Sequence, residues 1–213
     1  MLDKGEYFRR WAQLHGDYDP AAHLLSRTWL TTVYAVARHC RGVPPLCITA
    51  AGVVVAIAVP LLAARGWVVL AAVAVLASGF LDSLDGAVAV GTARDTRLGF
   101  VLDSVADRVS DTAYVLAFFV LGAPGWLCAT AAGLCALQEY LRARAAAAGM
   151  TEIGIVTVFE RPTRIVLAAV VLAGGAVPGM SIHAVVGAGA TAWAALAAVG
   201  LGQLSRAVHR ALS

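Results

Sequence analysis

The chain has 213 residues, of which 60% are hydrophobic and 14% charged, and its mean hydropathy is +0.79. Soluble domains carry about 25% charged residues, so this composition excludes an ordinary soluble domain and places the chain in a bilayer. The formal charge of +3 comes from arginines scattered among loops, with no basic run, which suits anionic headgroups and argues against nucleic acid as a partner.

Residues Met1 to Tyr18 mix Asp3, Lys4, Glu6, Arg9 and Arg10 with no continuous apolar core, so no cleavable signal is expected. Asp19 and Pro20 read as a helix start, with Asp as N-cap and Pro in the first turn. Leu25, Trp29, Val33 and Val36 then recur at helical spacing while Arg27, Thr31 and Arg38 take other faces, the pattern of an amphipathic helix lying in the membrane interface. Gly42 to Pro45 break that helix. Residues 1–42 are therefore expected as a cytoplasmic N-terminal segment and residues 43–213 as one membrane domain.

Leu46 to Ala64 form an uncharged run close to the roughly 20 residues needed to cross about 30 Å of hydrocarbon. After Arg65 and Gly66 a second run, Trp67 to Leu81, reaches that length only by continuing through Asp82 and Asp85. A third span is expected from Leu98 to Leu121, carrying Asp103, Asp107, Arg108 and Asp111 in its first half, and a fourth from Trp126 to Ala148, whose polar end holds Glu139, Arg142 and Arg144. Gly149 to Glu160 is a connector, Pro162 suits a helix's first turn, and Ile165 to Ala176 and Ile182 to Leu204 supply spans five and six. The fold expected is all-α and integral to the membrane, with six transmembrane helices and an N-terminal amphipathic interfacial helix.

Six spans put both termini on one side. The positive charges from Lys4 to Arg41, at Arg94 and Arg97, from Arg142 to Arg164, and at Arg206 and Arg210 fall on that side, and Arg65 falls opposite. By the positive-inside rule both termini are cytoplasmic in a multi-pass cell-membrane protein, and the aspartates lie at the cytoplasmic ends of spans two and three. The four cysteines, Cys40, Cys47, Cys128 and Cys135, form no C-x-x-C pair. They are expected as small buried hydrophobes and not as metal ligands or disulfides.

Chemistry is concentrated between Asp82 and Asp107. Asp82 and Asp85 are three apart and Asp103 and Asp107 four apart, so each pair shares a helix face, and ionisable groups within membrane segments mark functional sites. Four carboxylates at close quarters repel one another and are expected to take up protons or bind cations. An all-oxygen donor set with no Cys or His nearby favours Mg²⁺ or Mn²⁺. Gly86, Ala89 and Gly99 remove bulk beside the carboxylates, and Arg94 and Arg97 add positive charge, so the stretch reads as a site for a pyrophosphate. A divalent-cation transporter is the rival of a different class. It would need polar residues continuing to the far side of the membrane, and spans five and six are almost bare of them.

These residues resemble the signature of the CDP-alcohol phosphotransferases, D-x-x-D-G-x-x-A-R-x8-G-x3-D-x3-D. Asp82, Asp85, Gly86, Ala89, Gly99, Asp103 and Asp107 match it at seven of its eight fixed positions, and Val90 stands where the family has Arg. The resemblance implies transfer of a phosphatidyl group from CDP-diacylglycerol to the hydroxyl of a small polar alcohol, with release of CMP, by a homodimer in the bilayer. It implies that Asp82, Asp85, Asp103 and Asp107 hold two divalent ions and that Asp107 is also the catalytic base. Asp82, Gly86, Ala89, Arg94, Thr96, Arg97 and Gly99 would contact the nucleotide-linked donor. Val90 leaves room for a catalytically inactive member of the family. Arg94 would supply the missing charge if the helix continued past Gly91.

A further likeness concerns the acceptor. Tyr140-Leu-Arg142-Ala-Arg144-Ala, then Glu160-Arg161-Pro-Thr-Arg164, then Arg206 are similar to the Y-x-K-A-R-A, E-R-x-x-R and C-terminal Arg features of bacterial phosphatidylinositol-phosphate synthases. That likeness implies that Arg142, Arg144, Arg161, Arg164 and Arg206 surround an acceptor phosphate, as in inositol phosphate or glycerol phosphate. Ordinary positive-inside anchoring is the other reading of the same arginines.

Overall fold

The computed structural model describes residues 1–14, 24–150 and 156–213. Among these residues there are eight helices and no strand: α1 (Lys4–Leu14), α2 (Leu24–Ala37), α3 (Pro45–Ala64), α4 (Val68–Gly91), α5 (Arg97–Val120), α6 (Gly125–Ala147), α7 (Arg161–Gly174) and α8 (Ile182–Leu212). Helices α3, α4 and α8 are long and apolar enough to cross a membrane. At 24 and 23 residues α5 and α6 have comparable length but carry charges, whereas α7 has 14 residues, short of the roughly 20 a perpendicular span requires. Val54, Ile57 and Leu61 on α3 and Val69, Val73 and Leu76 on α4 are exposed, an outer surface suited to lipid and costly in water.

The chain divides into two compact units, one formed by Met1–Val54 and Ser78–Asp107 and the other by Val55–Ala77 and Arg108–Ser213. The first has a core of Tyr7, Val33, Ala37, Ile48, Leu84, Ala87, Val88 and Val90. Its first helix, α1, is one that the apolar patterning of residues 1–18 does not announce, and it begins where the Asp3 side chain accepts a hydrogen bond from the Glu6 amide at 2.8 Å. Asp followed three residues later by Glu is a start signal that the sequence carries. Tyr7 is 1% exposed and stacks on Tyr34 at 5.2 Å, and burial pushes its phenol up to about 12. The Tyr34 hydroxyl donates to the Leu2 carbonyl at 2.9 Å, and the Leu2 amide donates to the Gly91 carbonyl at 2.7 Å, so the first residues tie α2 to the end of α4.

The expected start of the interfacial helix at Asp19 and Pro20, and the side chain of Leu25, lie outside the described residues. The rest of α2 buries Leu30, Val33 and Ala37, while Trp29 is 46% exposed. This differs from the stripe read from hydrophobicity because α4 selects the face: Trp29 donates from its indole to Ser83 at 3.2 Å and meets the Phe80 ring edge-on.

The second unit has an alanine-rich core in which Phe118, Phe159 and Trp193 are fully buried and Trp193 meets both phenylalanine rings edge-on. Small residues let its helices approach closely. A Cβ built on Gly189 of α8 would lie 2.5 Å and 2.6 Å from the two Val171 methyls of α7. Gly122, at φ 103°, makes the turn between α5 and α6, and a side chain there would also collide with His183. Cys128 and Cys135 are buried as expected, Cys47 is exposed, and all four cysteines are free.

Because Val171 is branched at Cβ and cannot swing clear, Gly189→Ala is expected to destabilise the protein by about 1–3 kcal/mol through overpacking. A lower thermal midpoint in detergent, with Gly187→Ala as a control where a Cβ would meet nothing within 4 Å, checks this. Equal midpoints for the two variants would contradict the close approach of α7 and α8.

Candidate active site

In the first unit, α4 carries Asp82 and Asp85 and α5 carries Asp103 and Asp107. Carboxylate oxygens of Asp82, Asp103 and Asp107 lie within 4.8 Å of one another, and all three residues are partly buried. The spacing of four along α5 puts Asp103 and Asp107 on one face opposite Asp82 of α4, so three of the four carboxylates expected together converge. Asp85 stands beside this group and not in it. It is 5% exposed, lies beside Thr49 of α3, and feels the charges of Asp82 and Asp103.

The residues fit a divalent cation. Their donors are all carboxylate oxygens, as hard cations prefer, and Asp85 Oδ2 is buried with no hydrogen-bond partner. A buried carboxylate oxygen in that condition is costly unless a cation or proton meets it.

The other residues expected near the donor are divided by the structure. Gly86 is exposed and a Cβ there would enter open space. Thr96 caps α5: its hydroxyl oxygen accepts from the Gly99 amide at 3.0 Å, and a Cβ on Gly99 would come within 3.0 Å of that oxygen. Arg97 is exposed in the first turn of α5. Helix α4 ends at Gly91 and Ala93 takes φ 53°, so Arg94 does not lie one turn further along that helix; its guanidinium donates to the Arg41 carbonyl at 3.5 Å. Val90 is 7% exposed and belongs to the apolar cluster with Tyr7 of α1. An arginine at this position would bury a charge among hydrophobic side chains, a physical reason for the departure from the motif.

In the second unit the arginines of α6 and α7 meet carboxylates to which the motifs assign no role. Arg164, fully buried, bonds to Asp111 of α5 at 3.0 Å and to Glu139 of α6 at 2.9 Å. Glu139 also meets Arg108 at 3.2 Å and Arg142 at 3.6 Å, and Asp111 meets Arg108 at 3.3 Å and Arg161 at 3.6 Å. Glu160 accepts from Arg142, the Thr157 amide and the Thr157 hydroxyl, each at 2.8 Å. The structure therefore brings Arg142, Arg161 and Arg164 together, whereas Arg144 and Arg206 are exposed. Asp111, four residues beyond Asp107, and Glu139, three before Arg142, carry helical-spacing signals that mark them in the sequence.

The family model for CDP-alcohol phosphatidyltransferase matches residues 42–202. The archaetidylinositol phosphate synthase of Methanothermobacter thermautotrophicus is 37% identical over 142 residues, covering 64% of this chain and 67% of that protein. The phosphatidylinositol phosphate synthase of Mycobacteroides abscessus is 38% identical over 103 residues, covering 44% of this chain and 46% of that protein. Among solved structures, the phosphatidylinositol phosphate synthase of Mycobacterium tuberculosis with CDP-DAG bound superposes with a TM-score of 0.66 at 24% identity, covering 83% of this chain and 92% of that one, a likeness of fold. With the motif, the helical fold and a family match over most of its length, the chain belongs to the CDP-alcohol phosphatidyltransferase family.

Proposed function

We propose that this protein transfers a phosphatidyl group from CDP-diacylglycerol to the hydroxyl of a small polar alcohol, releasing CMP. The observation that carries the reading is the convergence of Asp82, Asp103 and Asp107, on two helices, to within 4.8 Å. The family match supports it and counts against the cation-transporter alternative.

Asp82, Asp85, Asp103 and Asp107 hold divalent cations, Mg²⁺ or Mn²⁺. Such ions, when bound, supply neutralisation of the negative charge on a pyrophosphate. Asp107 accepts the proton of the attacking hydroxyl; the new bond forms between that oxygen and the phosphatidyl phosphorus, and the phosphorus–oxygen bond to CMP breaks. Gly86 and Ala89 give the donor close access to α4, and Thr96, Arg97 and Gly99 lie along its phosphates. Arg142, Arg161 and Arg164 belong to the acceptor site, with Arg144 and Arg206 at its exposed margin.

In this reading residues 43–213 form the catalytic membrane domain, α3 to α8 are six spans, and α2 lies in the interface. Both termini and the aspartates face the cytoplasm, which the distribution of Lys and Arg supports, and the functional form is a homodimer.

Asp107→Asn keeps size and loses basicity, so CMP release is expected to fall by about 10²- to 10⁴-fold while the thermal midpoint stays near that of wild type. Activity within about threefold of wild type would remove Asp107 from the role of base. Chelation with EDTA is expected to abolish CMP release and added Mg²⁺ or Mn²⁺ to restore it, as all-oxygen sites require. Turnover that survives chelation would exclude the metal-dependent reading.

A further inference from the structure

The likeness to phosphatidylinositol-phosphate synthases places the arginines of α6 and α7 around an acceptor phosphate, yet in this protein they already hold anions. Among the described residues, Arg108, Arg142, Arg161 and Arg164 face Asp111, Glu139 and Glu160 within 3.6 Å or less. Glu139 is the centre of this arrangement. Its carboxylate meets Arg164, Arg108 and Arg142 at 2.9, 3.2 and 3.6 Å, a set of contacts that resembles a phosphate's with guanidinium groups. Arg164 is fully buried and directs both terminal nitrogens at protein carboxylates, Nη1 at Asp111 and Nη2 at Glu139.

A phosphate monoester carries a charge of about −1.5 to −2 at neutral pH. Entering this cluster, it would meet three fixed carboxylates beside the arginines it needs. An uncharged polyol meets no such opposition, because its hydroxyls can donate to the carboxylates and accept from the guanidinium groups.

We propose that the acceptor is an uncharged polyol without a phosphate group, and that Glu139, as a built-in anion on Arg108, Arg142 and Arg164, is the residue that sets this specificity. The proposal rests on the phosphatidyl-transfer reading for its reaction, but the charge balance can be tested apart from turnover. It sets this chain apart from relatives whose names carry an inositol phosphate product.

Two measurements on the full chain in detergent decide it. In the first, CMP release from CDP-diacylglycerol with Mg²⁺ or Mn²⁺ is compared for inositol and glycerol against their phosphate monoesters. Wild type is expected to use an unphosphorylated polyol in preference, and Glu139→Gln is expected to gain use of a phosphate monoester by about tenfold or more, since it frees charge-assisted donors. A wild-type preference for a phosphate monoester would overturn the proposal. The second measures inorganic phosphate binding by calorimetry without divalent metal, where Glu139→Gln is expected to bind about tenfold or more tightly than wild type. Equal affinity in the two proteins, including none in either, would overturn it. Absence of CMP release with every alcohol, beside the expected difference in phosphate binding, would count against the transferase reading and leave the charge balance supported. Should the variant fail to fold, wild type still decides: preference for the unphosphorylated polyol supports the proposal, and preference for its phosphate monoester overturns it.

Discussion

Three carboxylates within 4.8 Å of one another oppose the packing that gathers them, since each pair of charges at 4 Å costs about 4 kcal/mol at an effective dielectric of about 20. The cost is offset by structure elsewhere in the same unit. The cluster of Tyr7, Val33, Ile48, Val88 and Val90 fixes the charged half of α4, the Leu2 amide holds its last residue, Gly91, and the Arg10–Asp95 ion pair holds the segment that follows. A cation that binds the folded form relieves the repulsion and stabilises the fold by mass action. Residues near the start of the chain thus serve aspartates about eighty positions away.

The second unit handles charge in the opposite manner, by pairing. A buried guanidinium such as Arg164 is tolerated in an apolar core only with hydrogen-bonded counter-charges, and removing one partner of such a pair typically costs about 3–5 kcal/mol. Asp111 and Glu139 meet that need, Phe159 offers its ring to the same guanidinium at 5.4 Å, and the Cys135 thiol donates to Asp111 at 3.5 Å. These bonds give the arginines a structural duty of their own.

Three residues of the motif stretch look different once their neighbours are known. Val90, which as a departure from the signature suggests a damaged enzyme, is an apolar side chain in an apolar cluster. Thr96 and Gly99, read as donor contacts, also form a helix cap whose geometry needs a hydroxyl at one position and no side chain at the other. In both places local packing accounts for the residue without reference to chemistry.

The sequence by itself determined the all-helical architecture, the limits of α3, α5 and α6 to within about a residue, and the pairing of aspartates on helix faces. Run length, Gly and Pro breaks and helical period are local properties, readable without knowing what lies alongside. The Asp3 and Glu6 start signal for α1 is local too, although it is weaker than the absence of an apolar run around it. Only the tertiary structure decided which face of α2 is buried, that Asp85 stands beside the aspartate group, and that Arg164 belongs to Asp111 and Glu139, its partners 53 and 25 residues away. Periodicity states the side of a helix from which a residue projects. The charge it meets there is supplied by another helix, and packing alone chooses that helix.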